Sequence, residues 1–249
     1  FPERARLLDS LGASEIHTLT PNRETLGLAP EQFVDHIVDR FSPDFLVEGP
    51  DFRFGRARRG DLDTLRELGR TRGFSTVEVS PIDLPLSNQL LVRASSTMIR
   101  ELIRLGRVHD AALLLGRPYA VSGTVFRGDQ RGRDIGIPTA NVDPDDLLIP
   151  ADGIYAGYGI LPDGRSRPAA ISIGTKPTFG DRPRSLEAHL LDHDGPLDDY
   201  DWTLRVAFTR WIRDQVRYAD VDALLDQIRR DIQRTRTLTT STKAMASAL

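Results

Sequence analysis

The spacing of apolar residues changes near Gly116, and this change limits the folds that the chain can adopt. Before Gly116, segments with apolar residues at helical spacing alternate with short apolar runs that are typical of strands. That alternation predicts a parallel sheet with helices on its faces. After Gly116, short strand-like segments are separated by Gly, Pro and Asp, which predicts an antiparallel barrel. A long amphipathic segment near the C-terminus predicts a final helix.

The predicted elements follow from this spacing and from the residues that start and stop helices. Helices are predicted for residues 2–11, 30–41, 61–73, 96–105, 108–115 and 221–238. Strands are predicted for residues 16–19, 45–47, 75–79, 119–126, 154–160, 169–173, 186–191 and 202–208. Asp220 is the predicted N-cap of the last helix. The apolar stripe of that helix, predicted to be buried, is Val221, Leu224, Leu225, Ile228 and Ile232.

The composition excludes several classes of protein. The 249 residues can hold two domains of ordinary size. No residue is a cysteine, so the chain has neither disulfides nor thiolate metal sites. No apolar run approaches the about 20 residues that span a bilayer. A net charge of −3 argues against a nucleic-acid-binding protein. A cytoplasmic protein is expected, with neither membrane nor nucleic acid among its partners.

A glycine-rich run, residues 127–133, is followed by Gly136, and this segment has the composition of a phosphate-binding loop. Gly128, Gly132 and Gly136 allow tight turns, and such turns expose backbone N–H groups to anions. Plain turn chemistry is the alternative, and both interpretations can hold together. No Gly-x-x-x-x-Gly-Lys-Ser/Thr pattern occurs, which argues against a P-loop fold.

Thr139 and Asn141, just after this segment, are candidate magnesium ligands. Residues two apart in an extended segment point to the same side, so both side chains can converge on one ion. Their hydroxyl and amide oxygens are hard ligands, as Mg²⁺ requires. The alternative is an ordinary turn after Pro138, in which both side chains bond to their own backbone.

Glu187 stands alone as a carboxylate in an alternating apolar segment and is a candidate general base. Phosphoryl transfer needs positioning and charge neutralisation more than covalent chemistry. One base, one pair of metal ligands and one phosphate loop therefore form a sufficient set. The alternative is a solvated strand residue on the face opposite buried Leu186 and Ala188.

Seven stretches resemble the riboflavin kinase family, in the same order along the chain. They are residues 116–119, 127–128, 132–141, 152–157, 172–175, 177–180 and 186–190. The resemblance implies a small β-barrel in which Thr139 and Asn141 hold the Mg²⁺ that bridges the ATP phosphates. It implies that Glu187 accepts the proton of the ribityl 5′-hydroxyl of riboflavin. The implied ATP-binding residues are Gly128, Gly132, Arg133, Gly136, Pro138 and Thr139.

Two upstream stretches, residues 49–55 and 95–100, resemble the adenylyltransferase half of bacterial bifunctional FAD synthetases. The resemblance implies an α/β nucleotidyltransferase-like (Rossmann-like) domain that binds FMN and the phosphates of a second ATP. The implied binding residues are Asp51, Phe52, Phe54, Gly55, Ser95, Ser96, Thr97 and Arg100. The alternatives are a basic, aromatic surface loop of the kind that binds nucleic acid and a simple Ser/Thr helix cap.

The resemblance implies a two-domain enzyme that makes FMN and FAD from ATP, riboflavin and FMN. The expected domains are residues 1–115 and 116–240, followed by a tail at 241–249. The family's His-containing phosphate-binding turn is not found in this sequence. The adenylyltransferase domain is therefore expected to be incomplete, and the chain alone is expected to make FMN but little FAD. Two other hypotheses are a riboflavin kinase with a scaffold-only first domain and a nucleic-acid-binding protein. The sequence does not set the oligomeric state.

Overall fold

A computed structural model describes residues 2–128, 130–144, 147–175, 184–193, 195 and 199–241. The stretch 177–180 and most of the tail lie outside these residues. Contacts within the chain separate two compact units, Phe1–Pro81 and Ile82–Leu249. Residues 82–115 are thus grouped with the barrel, whereas the predicted domain boundary is near Gly116. A grouping by contacts does not test a domain boundary, and the boundary stays a prediction.

The first unit contains a two-stranded parallel sheet with its helices. The helices are α1 (Pro2–Ser10), α2 (Arg23–Gly27), α3 (Pro30–Phe41) and α4 (Leu62–Arg72). The strands are β1 (Phe45–Glu48) and β2 (Ser75–Glu78), paired from Phe45 opposite Ser75 to Glu48 opposite Glu78. The core of this unit is formed by Val34, Phe54, Leu62, Leu65, Leu68 and Phe74.

Local capping explains the limits of α4. The Asp61 carboxylate accepts a hydrogen bond of 2.9 Å from the backbone N–H of Thr64, which satisfies a donor of the first turn. Gly73 ends the helix with φ of 84°, a left-handed conformation that favours glycine. The strand predicted at residues 16–19 is wrong. Residues 17–19 are exposed, and no described strand pairs with this segment, so it lacks both burial and a hydrogen-bonding partner.

The second unit begins with a small hairpin and two helices. The strands are β3 (Asp83–Pro85) and β4 (Leu91–Arg93), and the helices are α5 (Ser96–Arg104) and α6 (Val108–Leu115). Leu86, Leu102, Ile103, Ala111 and Leu114 form a core between them. Helix α6 is apolar enough to be buried on several sides, and its N-terminal Val108 reaches the core of the barrel that follows.

The barrel is closed and has the strand order β10-β5-β6-β9-β8-β7. Its strands are β5 (Tyr119–Phe126), β6 (Ala140–Asp143), β7 (Gly153–Ile160), β8 (Ser166–Gly174), β9 (Ser185–Leu190) and β10 (Thr203–Arg213). A short helix α7 (Arg131–Asp134) lies between β5 and β6, and α8 (Val221–Ser241) follows β10. The predicted antiparallel barrel with a C-terminal helix is confirmed.

Side chains alternate between the two faces of each barrel strand, as β-geometry requires. The positions that point inward are apolar and buried, such as Ile171, Ile173, Leu186 and Phe208. Helix α8 packs outside the barrel against β7, β8 and β10. Its predicted N-cap is confirmed, because the Asp220 carboxylate accepts a hydrogen bond of 2.8 Å from the backbone N–H of Ala223.

The apolar stripe of α8 is only partly buried. Val221 is 44% exposed, so its predicted burial is wrong. It lies in the first turn of the helix, before the stripe faces the barrel. The fully buried positions of α8 are instead polar: Asp231, Thr235 and Thr239. Within the described residues, none of the helices is both long and apolar enough to cross a membrane.

Candidate functional site

A cavity of about 190 Å³ lies on the outer face of the barrel, between the strands and helix α8. Its walls come from the segment that contains α7, from β6 to β10, and from α8 with the residues before it. The lining residues are Gln130, Gly132, Ile135, Ile137, Thr139, Asn141, Ile154, Ala170, Ile171, Ser172, Glu187, His189, Arg213, Gln215, Val216, Tyr218, Leu224, Ile228, Asp231 and Ile232.

The floor of the cavity is a row of side chains that crosses five of the six strands. The row follows the register of the barrel, in which each member lies opposite the next on the neighbouring strand. Its members are Asn141, Glu187, Ser172, Ile154 and Arg213. Neighbouring strands are about 4.8 Å apart, so the row places an amide, a carboxylate, a hydroxyl, an aliphatic group and a guanidinium at regular intervals.

Glu187 is buried although it is on the outer face of β9. Only 8% of the residue is exposed, so the alternative of a solvated strand residue is wrong. The Ser185 hydroxyl donates a hydrogen bond of 3.2 Å to Glu187 Oε1. Asn141 lies opposite Glu187 on β6. A carboxylate held at the bottom of a cavity, beside a neutral amide, is placed to accept a proton from a bound hydroxyl group.

Thr139 and Asn141 both line the cavity on the same side as Glu187. Two glycines of the preceding segment lie against them. A Cβ on Gly128 would overlap the Asn141 carboxamide, and a Cβ on Gly132 would overlap the Ile137 carbonyl and stand 3.4 Å from Thr139 Oγ1. These glycines therefore let the chain pass close to the two oxygen-bearing side chains. An oxygen donor set of this kind fits a hard cation such as Mg²⁺.

Only part of the predicted phosphate-binding loop lines the cavity. Gly132 lines the cavity, whereas Arg133 and Gly136 are exposed and do not. The backbone N–H groups of Arg133 and Gly136 bond to carbonyls of Gln130 and Arg133, each at 3.0 Å. These two N–H groups are thus used within the loop, so a phosphate cradle has to use other donors.

His189 is a cavity residue for which the sequence analysis predicts no role. It is two positions after Glu187 on β9 and therefore on the same face. Its Nδ1 lies 2.7 Å from the Pro138 carbonyl oxygen, and since a carbonyl only accepts, Nδ1 carries the proton. This hydrogen bond holds the segment before β6, which contains Pro138 and Thr139, against β9. In the sequence, two signals point to this residue: its spacing from Glu187 and its place in the stretch 186–190 that resembles the riboflavin kinase family.

The second wall is made of apolar residues of α8 and a buried ion pair. Leu224, Ile228 and Ile232 of the predicted stripe face the cavity. Below them, Arg213 Nη2 lies 2.7 Å from Asp231 Oδ2, and Arg213 Nε donates to both carboxylate oxygens at 3.1 Å. The pair joins the end of β10 to α8. The sequence gives no signal for it, because the predicted last strand ends at residue 208, before Arg213.

The predicted adenylyltransferase residues of the first unit follow β1. Phe54 is only 5% exposed and belongs to the core, where it stacks on Phe52 with ring centroids 5.4 Å apart. Gly55 has φ of 69°, and a Cβ there would stand 2.8 Å from the Pro30 backbone. Asp51 is exposed. Burial raises the pKa of Glu48, at the carboxyl end of β1. Loops after the carboxyl ends of parallel strands are common ligand sites.

The remaining predicted adenylyltransferase residues lie at the start of α5 in the second unit. Ser95 is the N-cap, and its hydroxyl accepts a hydrogen bond of 3.2 Å from the backbone N–H of Met98. Ser96, Thr97 and Arg100 are exposed. The simple-cap alternative accounts for Ser95. A role for the exposed residues in binding a phosphate stays a prediction.

Comparisons with known proteins identify the family. The family model described as riboflavin kinase matches residues 115–239, and the one described as FAD synthetase matches residues 1–89. The bifunctional riboflavin kinase/FMN adenylyltransferase of Pseudomonas fluorescens is 35% identical over 229 residues, which cover 91% of this chain and 71% of the relative. The protein of the same description from Escherichia coli K12 is 34% identical over 230 residues, 92% of this chain and 71% of the relative.

A solved structure shares the fold. It is a crystal structure of a protein described as a macrolide-efflux protein from Streptococcus pneumoniae, with a TM-score of 0.81 and 29% identity. The match covers 94% of this chain and 74% of the other. The two family models and the two relatives confirm the resemblance seen in the sequence. The chain belongs to the bifunctional riboflavin kinase/FMN adenylyltransferase family, whose enzymes act in FMN and FAD biosynthesis.

Proposed function

We propose that the cavity on the outer face of the barrel is the riboflavin kinase site, and that Glu187 is its general base. The observation that carries this proposal is the register of β6 and β9, which puts Asn141 opposite Glu187 at the cavity floor. A base and a candidate metal ligand therefore stand about one strand spacing apart, near 4.8 Å. That separation suits a hydroxyl nucleophile held between the base and a phosphate group.

The chain's own residues perform two tasks in this mechanism. Glu187 accepts the proton of the riboflavin 5′-hydroxyl as that oxygen attacks the γ-phosphorus of ATP. Ser185 donates to Oε1 of the carboxylate and so helps to fix its orientation at the cavity floor. The O–P bond to riboflavin forms while the bond to the β-phosphate oxygen breaks, and the products are FMN and ADP.

Thr139 and Asn141 are the residues that would hold Mg²⁺ in this proposal. Both side chains supply oxygen atoms to the cavity, and Gly128 and Gly132 let the chain pass close to them. A bound magnesium ion supplies neutralisation of the phosphate charge. Backbone N–H groups and the exposed Arg133 guanidinium are the candidates for contacts to the outer phosphates.

The apolar half of the cavity is proposed to hold the flavin ring system. Ile154 and Ala170 form the barrel side, while Leu224, Ile228 and Ile232 form the α8 side. Two facing apolar surfaces suit a flat aromatic ring system, because most of its surface is then removed from water. In this arrangement the ring points away from Asn141 and the ribityl chain points toward Glu187.

The adenylyltransferase residues and the cellular location are also proposals. Asp51, Phe52 and Gly55 after β1 are proposed to bind FMN and ATP for adenylyl transfer, and the same role is proposed for Ser96, Thr97 and Arg100 of α5. The buried Phe54 is proposed to support the loop from the core. The cytoplasm is the proposed location, because the phosphoryl donor ATP is a cytoplasmic substrate.

The test is Glu187→Gln, assayed for conversion of riboflavin and ATP to FMN by chromatography. Loss of a general base typically lowers the rate by about 10²–10⁴, and binding of riboflavin should persist. Glu67→Gln is the matched control, because Glu67 is an exposed carboxylate on α4. Near wild-type turnover in Glu187→Gln would overturn the assignment of the base.

A further inference from the structure

Ser172 holds a distinct position in the row across the cavity floor. It lies between Glu187, the proposed base on β9, and Ile154, the start of the apolar half on β7. It is therefore at the transition from the part of the cavity that suits phosphate and hydroxyl groups to the part that suits a ring system. A ligand that spans both parts has to pass over this hydroxyl.

Gln215 reaches Ser172 from the other wall. Its Nε2 donates a hydrogen bond of 3.0 Å to Ser172 Oγ, and both residues line the cavity. Gly174, two residues after Ser172 on β8, makes room for this side chain, because a Cβ there would overlap the Gln215 carboxamide. Gly174 also has φ of 144°, which favours glycine. The glycine at position 174 therefore lets the Gln215 side chain pack beside Ser172.

We infer that Ser172 and Gln215 bind the hydroxyl groups of the ribityl chain, and so make the kinase cavity select flavins that carry a polyhydroxylated side chain. This inference rests on the proposed kinase function of the same cavity. Ser172 stands about one strand spacing, near 4.8 Å, from the proposed base. The hydroxyl that is phosphorylated is the last of a chain, and the hydroxyls before it must lie between Glu187 and the ring system.

The hydrogen-bonding capacity of the pair matches a polyol. A ligand hydroxyl both donates and accepts, so it needs partners of both kinds. Ser172 Oγ accepts from Gln215 and still has a proton to donate, while the Gln215 amide oxygen accepts. Both groups are neutral, so they discriminate by hydrogen bonding rather than by charge. A flavin without the polyhydroxylated chain would leave these polar groups without ligand partners when it excludes water from them, which costs free energy.

The experiment measures binding of two flavins by the quenching of flavin fluorescence. One is riboflavin, and the other carries a methyl group in place of the ribityl chain. Ser172→Ala and Gln215→Ala should each weaken riboflavin binding about 3- to 10-fold, the range expected for one neutral hydrogen bond. Their affinity for the methyl flavin should stay at the wild-type value. Ser172→Thr keeps the hydroxyl and should keep the preference for riboflavin.

Two controls use residues of the same type away from the cavity. Ser166 lies at the exposed start of β8, and Gln233 lies on the exposed side of α8. The control variants are Ser166→Ala and Gln233→Ala. Both should bind the two flavins as the wild type does. In turnover, Ser172→Ala should raise KM with a much smaller change in kcat, because it removes binding rather than chemistry. Thermal unfolding of each variant identifies any loss that comes from misfolding.

The possible outcomes separate this inference from the proposed function. If Ser172→Ala and Gln215→Ala weaken the binding of both flavins by the same factor, or change the binding of neither, the pair does not recognise the ribityl chain. The inference is then overturned. If the wild-type chain neither binds nor phosphorylates riboflavin, the proposed kinase function itself fails. A selective loss for riboflavin in the alanine variants, with recovery in Ser172→Thr, supports the inference.

Discussion

The inner and outer faces of the barrel are built by the same strands, but they have different tasks. On β9, Leu186 and Ala188 point inward and are fully packed, whereas Glu187 between them points to the cavity. On β8, Ile171 and Ile173 enter the core, and Ser172 lies on the cavity floor. A rigid core therefore fixes the spacing of polar groups on the opposite face. Substitutions inside should change stability, and substitutions outside should change activity.

The largest expected effect on stability tests the inner face. Phe208 is fully buried on β10, with its ring edge against Tyr155 at a centroid distance of 5.6 Å. Phe208→Ala should lower the free energy of unfolding by about 3–5 kcal/mol, because it leaves a cavity in a closed core. Urea unfolding followed by circular dichroism measures the change.

Trp211 provides the matched control on the same strand. It is also a large aromatic residue, but it is 47% exposed. Trp211→Ala should lower the free energy of unfolding by clearly less than Phe208→Ala does. Equal losses for the two variants would contradict the division of tasks between the two faces.

The buried ion pair is an exception to this division, because it belongs to the outer face and is nevertheless structural. Asp231 is buried and joins α8 to Arg213 at the end of β10. Asp231→Ala leaves a largely buried guanidinium without this partner, a change that costs about 3–5 kcal/mol in buried pairs. The lower end of that range is expected, since the Arg213 side chain is 20% exposed.

Riboflavin binding should also weaken in Asp231→Ala, because α8 forms one wall of the cavity. Unfolding in urea and flavin fluorescence measure the two effects on the same sample. Asp226→Ala on the exposed side of α8 is the control, since the Arg229–Asp226 pair is exposed on both sides and such pairs contribute little. Normal stability and normal riboflavin binding in Asp231→Ala would show that the ion pair stabilises neither the fold nor the cavity.

A smaller effect is expected for the proposed magnesium ligands. Asn141→Ala and Thr139→Ala each remove one oxygen atom from the cavity, and Mg²⁺ tolerates little change in its coordination. The Mg²⁺ concentration for half-maximal FMN formation should rise by about tenfold, equivalent to about 1.4 kcal/mol. The free energy of unfolding should change little. Thr124→Ala, an exposed residue on β5, is the control. An unchanged Mg²⁺ titration in both variants would show that neither side chain holds Mg²⁺.

Most of the barrel could be predicted from the sequence, because its longer strands are largely apolar segments that are separated by Gly, Pro and Asp. Strand β5 matches its predicted limits, and α3 does as well. Short elements were missed for a physical reason. Strand β6, residues Ala140–Asp143, is four residues long and follows the predicted phosphate-binding loop closely, so it has too few alternating positions to give a pattern. Its pairing with β9 is what fixes Asn141 beside Glu187.

The candidate site could be predicted in part. Thr139, Asn141 and Glu187 come from short motifs, and these three residues are brought to one cavity. The remaining cavity residues depend on long-range packing. Gln215, Arg213 and Asp231 have no motif, and their positions follow from the end of β10 and the way α8 lies on the barrel. Periodicity predicted that Ile228 and Ile232 face apolar surroundings, but it could not predict that a cavity separates them from the strands.

The smallest expected effect concerns pH and the contact of α6 with β10. Arg210 Nη1 donates to His109 Nδ1, so His109 is unprotonated in this contact. Burial and, secondly, the Arg210 charge lower the pKa of His109, while nearby Asp110 opposes the shift. The unfolded chain therefore binds this proton more readily than the folded protein does. The contribution of His109 is fully present above its ordinary pKa of about 6.5 and is lost as pH falls through the lower folded value.

The measurement is the free energy of unfolding in urea at pH 7.5 and pH 5.5, for the wild type and for His109→Gln. The wild type should lose more stability on acidification, because the glutamine side chain of the variant does not titrate. Riboflavin phosphorylation at pH 7.5 should be normal in His109→Gln, since His109 does not line the cavity. If the stability of His109→Gln depends on pH as that of the wild type does, the contact with Arg210 does not contribute to holding α6 on the barrel.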